Sequence, residues 1–97
     1  MNTNRAYESV IIFNTNLDEA GINTQINSIE KIVSTHGGSV SKKEVQGKKE
    51  LEYHMDKKKF GNFVELEFDG DNTLISDLER QLNINDNVIR FLNVLKN

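Results

Sequence analysis

Four side chains of this sequence suit acid–base or metal chemistry: His36, His54, Glu65 and Glu67. The two histidines fall in different segments, and their spacing matches no zinc motif. His36 extends a helical stripe of Ile29 and Val33, so it reads as a packed or helix-capping histidine. His54 adjoins a run of charges, where a solvated ring is the plain reading and a metal or RNA contact the sharper one. Glu65 and Glu67 alternate onto one strand face, as paired catalytic carboxylates do. No nucleophile or strong base lies near them, and a solvated sheet face explains them as well. G-x-G-x-x-G, G-x-S-x-G, H-E-x-x-H and the phosphate-binding P-loop are all missing from the chain. An enzyme is not expected.

Lysine placement is more informative. Residues 42–59 hold seven of the 12 basic residues, Lys42, Lys43, Lys48, Lys49, Lys57, Lys58 and Lys59. With Glu44, Glu50, Glu52 and Asp56 the segment is net +3, and the rest of the chain is net −6. Such a strip suits one defined phosphate path, while the acidic remainder weakens indiscriminate binding. Lysines that merely keep a hairpin edge from aggregating would give the same pattern. Base stacking on an open sheet face is disfavoured. The segment FVELEF lacks the Gly/aromatic pattern that RNA-recognition modules use, and Glu65 and Glu67 would repel phosphate there.

The elements that must carry these residues follow from periodicity. The chain has 97 residues, 36% of them hydrophobic, a net charge of −3, and no Cys, Pro or Trp. That length supports one domain over 1–97. Without Cys there are no disulfides or thiolate sites. No apolar run reaches the ~18–20 residues that span a bilayer. Met1–Arg5 is polar, unlike a secretory signal. These features lead to the expectation of a soluble, intracellular protein.

Residues 5–14 read as a strand, with Tyr7, Ser9, Ile11 and Phe13 on one face. Asn16 or Asp18 caps a helix over 18–36, striped by Ile22, Ile26, Ile29 and Val33 and stopped by Gly37-Gly38. A long strand over 39–53 has its irregularity at Gly47. A charged turn at 56–62 leads to a strand at 63–69, with Val64, Leu66 and Phe68 on one face. A second helix over 72–83 carries Leu74, Leu78 and Leu82, and a last strand covers 88–95. The order β-α-β-β-α-β implies a split βαβ arrangement. Its two helices cover one face of a four-stranded antiparallel sheet, and the other face is open.

Four segments, in order, resemble the bacterial small-subunit ribosomal protein six family. They are R-A-Y-E-S-V-I-I-F (Arg5–Phe13), G-K-K-E-L-E-Y-x-M (Gly47–Met55) with Lys57 and Gly61 following, L-x-R-x-L-N-I-N-D (Leu78–Asp86) and N-V-I-R-F-L-N-V (Asn87–Val94). Gln46 stands where the family often has Trp or another apolar residue, and His54 replaces a common Pro. Many members carry a longer C-terminal tail than this chain, which stops at Asn97.

The resemblance implies a ferredoxin-like α+β fold, no catalysis, no cofactor and a cytoplasmic, ribosome-associated protein. Its implied role is structural: binding small-subunit ribosomal RNA in the central domain, together with the eighteenth small-subunit protein. Carried onto this sequence, it points to Lys48 and Lys49 for phosphate or partner contact. Arg90 would reach RNA or a sheet carboxylate such as Glu8, and Arg5 a phosphate beside the first strand. Tyr7 and Tyr53 suit packing better than stacking. The rival reading is a small-molecule-binding or regulatory domain of the same topology, dimerising through its sheet. A phosphate-ester or acyl-phosphate hydrolase is less apt, because the loop after the first strand, NTNLDE, lacks Gly and Arg.

Overall fold

A computed structural model of the chain describes residues 4–55 and 58–96, with the side chains of 52–58 outside that description. The sequence readings of Lys57 and Asn97, and those of the Tyr53, His54 and Lys58 side chains, therefore lie outside that description. The elements are β1 (Arg5–Phe13), α1 (Glu19–Thr35), β2 (Ser39–Met55), β3 (Lys58–Gly70), α2 (Asn72–Asn83) and β4 (Val88–Leu95). The strands lie in the order β2-β3-β1-β4, every neighbouring pair antiparallel. This is the split βαβ architecture that the periodicity implies.

Each helix begins where a carboxylate accepts an otherwise unpaired backbone N–H. Asp18 Oδ1 accepts from Gly21 N at 2.8 Å, and Asp71 Oδ1 from Leu74 N at 2.9 Å. At the end of α1, the Gly37 and Gly38 N–H groups return to the Ser34 and Val33 carbonyls. The stripes Ile22/Ile26/Ile29/Val33 and Leu74/Leu78/Leu82 are buried against Ile11 and Phe13 of β1 and Val64, Leu66 and Phe68 of β3. Both helices thus cover one face, and strand alternation leaves Val10, Ile12, Phe63, Glu65 and Glu67 on the other. Tyr7 packs at the rim of the core, its ring stacked 5.9 Å from that of Phe68. His36 shares a 2.9 Å hydrogen bond from Nε2 to Asp77 Oδ2, and Arg80 donates to Asp77 Oδ1 at 2.7 Å. The end of α1 is so clasped to α2. First His36 and then Arg80 hold the Asp77 carboxyl below its ordinary range, against its partial desolvation.

Gly47 carries the irregularity expected of it. Its φ is +86°, and the β2–β3 register shifts between Val45 and Gly47. The hairpin differs from expectation in length. β3 starts at Lys58, so residues 58–62 belong to a strand, not a turn. They carry no hydrophobic alternation because the position buried there is Gly61, whose missing side chain leaves room for Ile12, while Phe60 is exposed and Asn62 bonds to the β1–α1 loop. Backbone pairing to β2, as at Lys49↔Gly61 and Glu50↔Phe60, holds them instead. β1 pairs with β3 only as far as Asn62, so the hairpin runs on as a two-stranded ribbon past the sheet.

Gly38 enters β2 where a Cβ would lie 2.1 Å from the Asp69 carbonyl oxygen, a backbone atom with no room to yield. Gly38→Ala is expected to lower unfolding free energy by about 1–3 kcal/mol in urea titration, the cost typical of overpacking. Asn27→Ala, on the exposed side of α1, should stay within about 0.5 kcal/mol of the parent. Equal stability of the two variants would contradict the close approach.

Candidate nucleic-acid interface

The basic cluster seen in sequence divides into two sets. Lys42 stands opposite Glu67 across the β2–β3 ladder, and its Nζ lies 3.8 Å from Glu44, 3.8 Å from Glu65 and 3.7 Å from Glu67. Lys43 pairs with Glu30 of α1 at 3.0 Å. Lys96, just past β4, donates to Glu67 Oε1. These lysines neutralise the protein's own carboxylates. Lys48, Lys49 and Lys59 make no ion pair among the described residues.

Glu65 and Glu67 consequently differ from the solvated, phosphate-repelling pair expected of them. The Glu67 side chain is only 16% exposed, and lysines from two strands face it. The Lys96 hydrogen bond, with the charges of Lys96 and Lys42, holds the Glu67 carboxyl below its ordinary range despite desolvation. The same hydrogen bond pushes the Lys96 ammonium up. Glu65 accepts from Gln46 Nε2 at 2.9 Å, and Gln46 Oε1 in turn accepts from Lys49 Nζ at 3.0 Å. Gln46 thus links a carboxylate to a hairpin lysine.

Lys48 and Lys49 sit where the ribbon leaves the sheet, opposite Asn62 and Gly61. Adjacent strand residues point to opposite faces. Lys49 lies on the open face, its Nζ 5.8 Å from the Phe63 ring centroid. Lys48 lies on the helix side, its Nζ 5.0 Å from the Phe60 centroid. The pair therefore wraps the edge of the sheet and does not form one flat patch.

Arg90 shares this end of the molecule. The register aligns Arg90, Ile12, Phe63 and Gly47 in one row across the open face, placing Arg90 about 14 Å from β2. Of the two partners considered for Arg90, Glu8 is not one. Glu8 stands opposite Val94, and Arg90 makes no ion pair among the described residues. Arg5 is at the other end of β1, opposite Gly70 and about 26 Å from the Phe13 row. Lys48, Lys49 and Arg90 thus share one end of the sheet without touching, and Arg5 stands at the other.

Sequence reasoning passed over two features. Phe60 is 42% exposed beside Lys48, whereas Phe13 and Phe68 are fully buried. Leu92 and Val94 are 61% and 48% exposed on the open face. An aromatic residue inside a lysine run and apolar residues at alternate β4 positions were the available signals. Among the described residues no cluster of His, Asp and Glu suits a metal ion, and no helix is long and apolar enough to cross a membrane.

The family model described as ribosomal protein S6 matches residues 6–95. The small ribosomal subunit protein bS6 of Clostridium acetobutylicum is 37% identical over 86 residues, covering 89% of this chain and 90% of that one. Its counterpart from Heliobacterium modesticaldum is 36% identical over 92 residues, covering 95% and 96%. In fold, the chain is similar to the crystal structure of 30S ribosomal protein S6 from Thermotoga maritima. The TM-score is 0.87 at 23% identity, over 97% of this chain and 89% of that one.

The carboxylate network makes a pH prediction. Because the folded Glu67 value is depressed, its stabilising contribution is present above about pH 4.5 and is lost as pH falls through the folded value. Urea unfolding between pH 7 and pH 3 should therefore show an acid decline that Lys96→Met and Glu67→Gln both flatten. A decline unchanged in Lys96→Met would show that this pair does not set it.

Proposed function

The chain belongs to the ribosomal protein S6 family, and from that membership we propose that it binds small-subunit ribosomal RNA through the lysine-bearing base of its β2–β3 hairpin. Members of this family are structural components of the small ribosomal subunit and not enzymes. The observation that carries the proposal is a division of labour among cations. Lys42, Lys43 and Lys96 are held by carboxylates, while Lys48, Lys49 and Arg90 are exposed at one end of the sheet and free of ion pairs among the described residues. Cations not spent internally are the ones that can displace counterions from a phosphate backbone. Arg5, at the far end of β1, would meet a separate phosphate.

The eighteenth small-subunit protein is the proposed partner, and charge supports it. Outside residues 42–59 the chain is net −6, which opposes RNA on most of its surface. A basic partner would cover that surface. The open face offers it exposed Leu92 and Val94, with the exposed Glu8 opposite Val94. The protein then acts as one domain within the cytoplasmic ribosome, fixing RNA helices in a geometry that free RNA only samples. The rival reading, a regulatory domain dimerising through the sheet, would use the same apolar strip. Sedimentation of cell extract separates the two, because the proposed protein travels with small subunits and the rival does not.

Binding to a central-domain fragment of small-subunit RNA should weaken with salt, by about 0.7–0.9 log units per tenfold salt for each phosphate contact. Lys48→Glu combined with Lys49→Glu should lower affinity and flatten that slope. An unchanged slope would remove the hairpin from the interface. Tight binding without the partner would count against the partner's share.

A further inference from the structure

We propose that the cleft between the β1–α1 loop and the base of the hairpin takes a single unpaired nucleotide, its base stacked on Phe60 and its phosphate on Lys48. The inference rests on the RNA-binding reading above and gives it a specific contact. The cleft encloses about 410 Å³ and is lined by Asn14, Thr15, Asn16, Lys48, Lys59 and Phe60. That volume lies within the range of small-ligand sites. None of the lining residues is acidic, in a chain with 15 Asp and Glu. Glu50, the cross-strand partner of Phe60, is exposed and does not line the cleft.

Phe60 identifies the ligand class. Lysine ammonium groups and loop amide donors would suffice for a bare phosphate. An aromatic ring kept 42% exposed at the mouth of a cationic cleft adds a flat apolar platform that a phosphate cannot use. A nucleobase can, because every base has a π-face. Register and burial agree on the geometry. Phe60 and Lys48 lie on the same face of the ribbon, two β3 positions apart through Asn62, and the Lys48 ammonium stands 5.0 Å from the ring centroid. That contact orients the ring and places a cation within one nucleotide's reach of it.

The loop wall is equally fixed. Asn62 Nδ2 donates to the Asn14 carbonyl at 3.0 Å, and Asn14 Nδ2 donates to the Asp86 carbonyl at 3.1 Å. The β1–α1 loop is thereby tied to β3 on one side and to the α2–β4 connection on the other. Asn16 and Thr15, both exposed on this loop, supply the donors and acceptors that a base edge can meet. Stacking here falls on the helix side of the hairpin, opposite to the open face where Glu65 and Glu67 lie.

Single-stranded RNA pentamers carrying 2-aminopurine at the centre, or an abasic site at the same place, test the assignment with the full chain. The base-bearing pentamer should bind with a change in 2-aminopurine fluorescence and more tightly than the abasic one. Phe60→Leu should weaken it about five- to hundredfold with no change in salt slope, as loss of a neutral stacking contact requires. Phe60→Tyr should restore it, and thermal melts should show both variants folded. Lys48→Gln should weaken binding and reduce the slope. Equal binding of the abasic pentamer, an unaffected Phe60→Leu variant, or equal competition by a phosphoserine peptide would each overturn the nucleotide assignment. If the Phe60→Leu variant binds the central-domain RNA fragment as tightly as the parent chain does, only this inference fails. If the parent chain binds neither RNA, the RNA-binding reading fails with it.

Discussion

Lys42 and Lys96 reach Glu65 and Glu67 from opposite edges of the sheet, and the charge distribution of the whole protein depends on that arrangement. Without those contacts the open face would present two half-buried carboxylates, whose desolvation nothing would offset. With them, the middle of the face is close to neutral. The sign of the field near the hairpin is then set by the residues left over. Lys96 comes from just past β4 and Lys42 from β2, so the network also ties the two outer strands across the two inner ones. A structural and an electrostatic task are thus met by the same side chains. An acidic chain can in this way keep a locally positive end.

Position along the strands completes the separation. β1 stops pairing at Asn62 while β2 and β3 continue, so the hairpin leaves the sheet at the level of Lys48 and Lys49. The two lysines face opposite sides, and Gln46 bridges from Lys49 back to Glu65. Arg90 extends the positive end to β4. RNA following this rim would meet cations on the open face, at the edge and on the helix side. Such an arrangement suits a fixed backbone path better than sliding contact.

Local features were legible in the sequence and long-range ones were not. The Leu74/Leu78/Leu82 spacing, the Asp18 cap and the run VIRFLNVL fix α2, the start of α1 and β4 almost to the residue. Gly47 marks its bulge because a positive φ is needed there and few other residues supply it. The start of β3 was not legible, because Lys58 to Asn62 are held by backbone pairing to β2, and backbone pairing leaves no hydrophobic period. Ion pairs such as Lys96–Glu67 join residues far apart in the chain, so sequence order could not separate paired from unpaired lysines. Lys48 and Lys49 look like one patch when written side by side, and only the pleat separates them. The cleft beside Phe60 was hidden for the same reason, since its walls come from the loop after β1 and from the ribbon of β2 and β3.

Lysine reactivity in the assembled particle tests the division of cations most directly. Acetylation with a limiting reagent, read residue by residue on the free chain and on purified small subunits, compares Lys48 and Lys49 with Lys31, which is exposed on α1. The account predicts that assembly shields Lys48 and Lys49 strongly and leaves Lys31 reactive. Continued reactivity of Lys48 and Lys49 in the particle, with Lys31 shielded, would place the RNA on the other side of the molecule and contradict it.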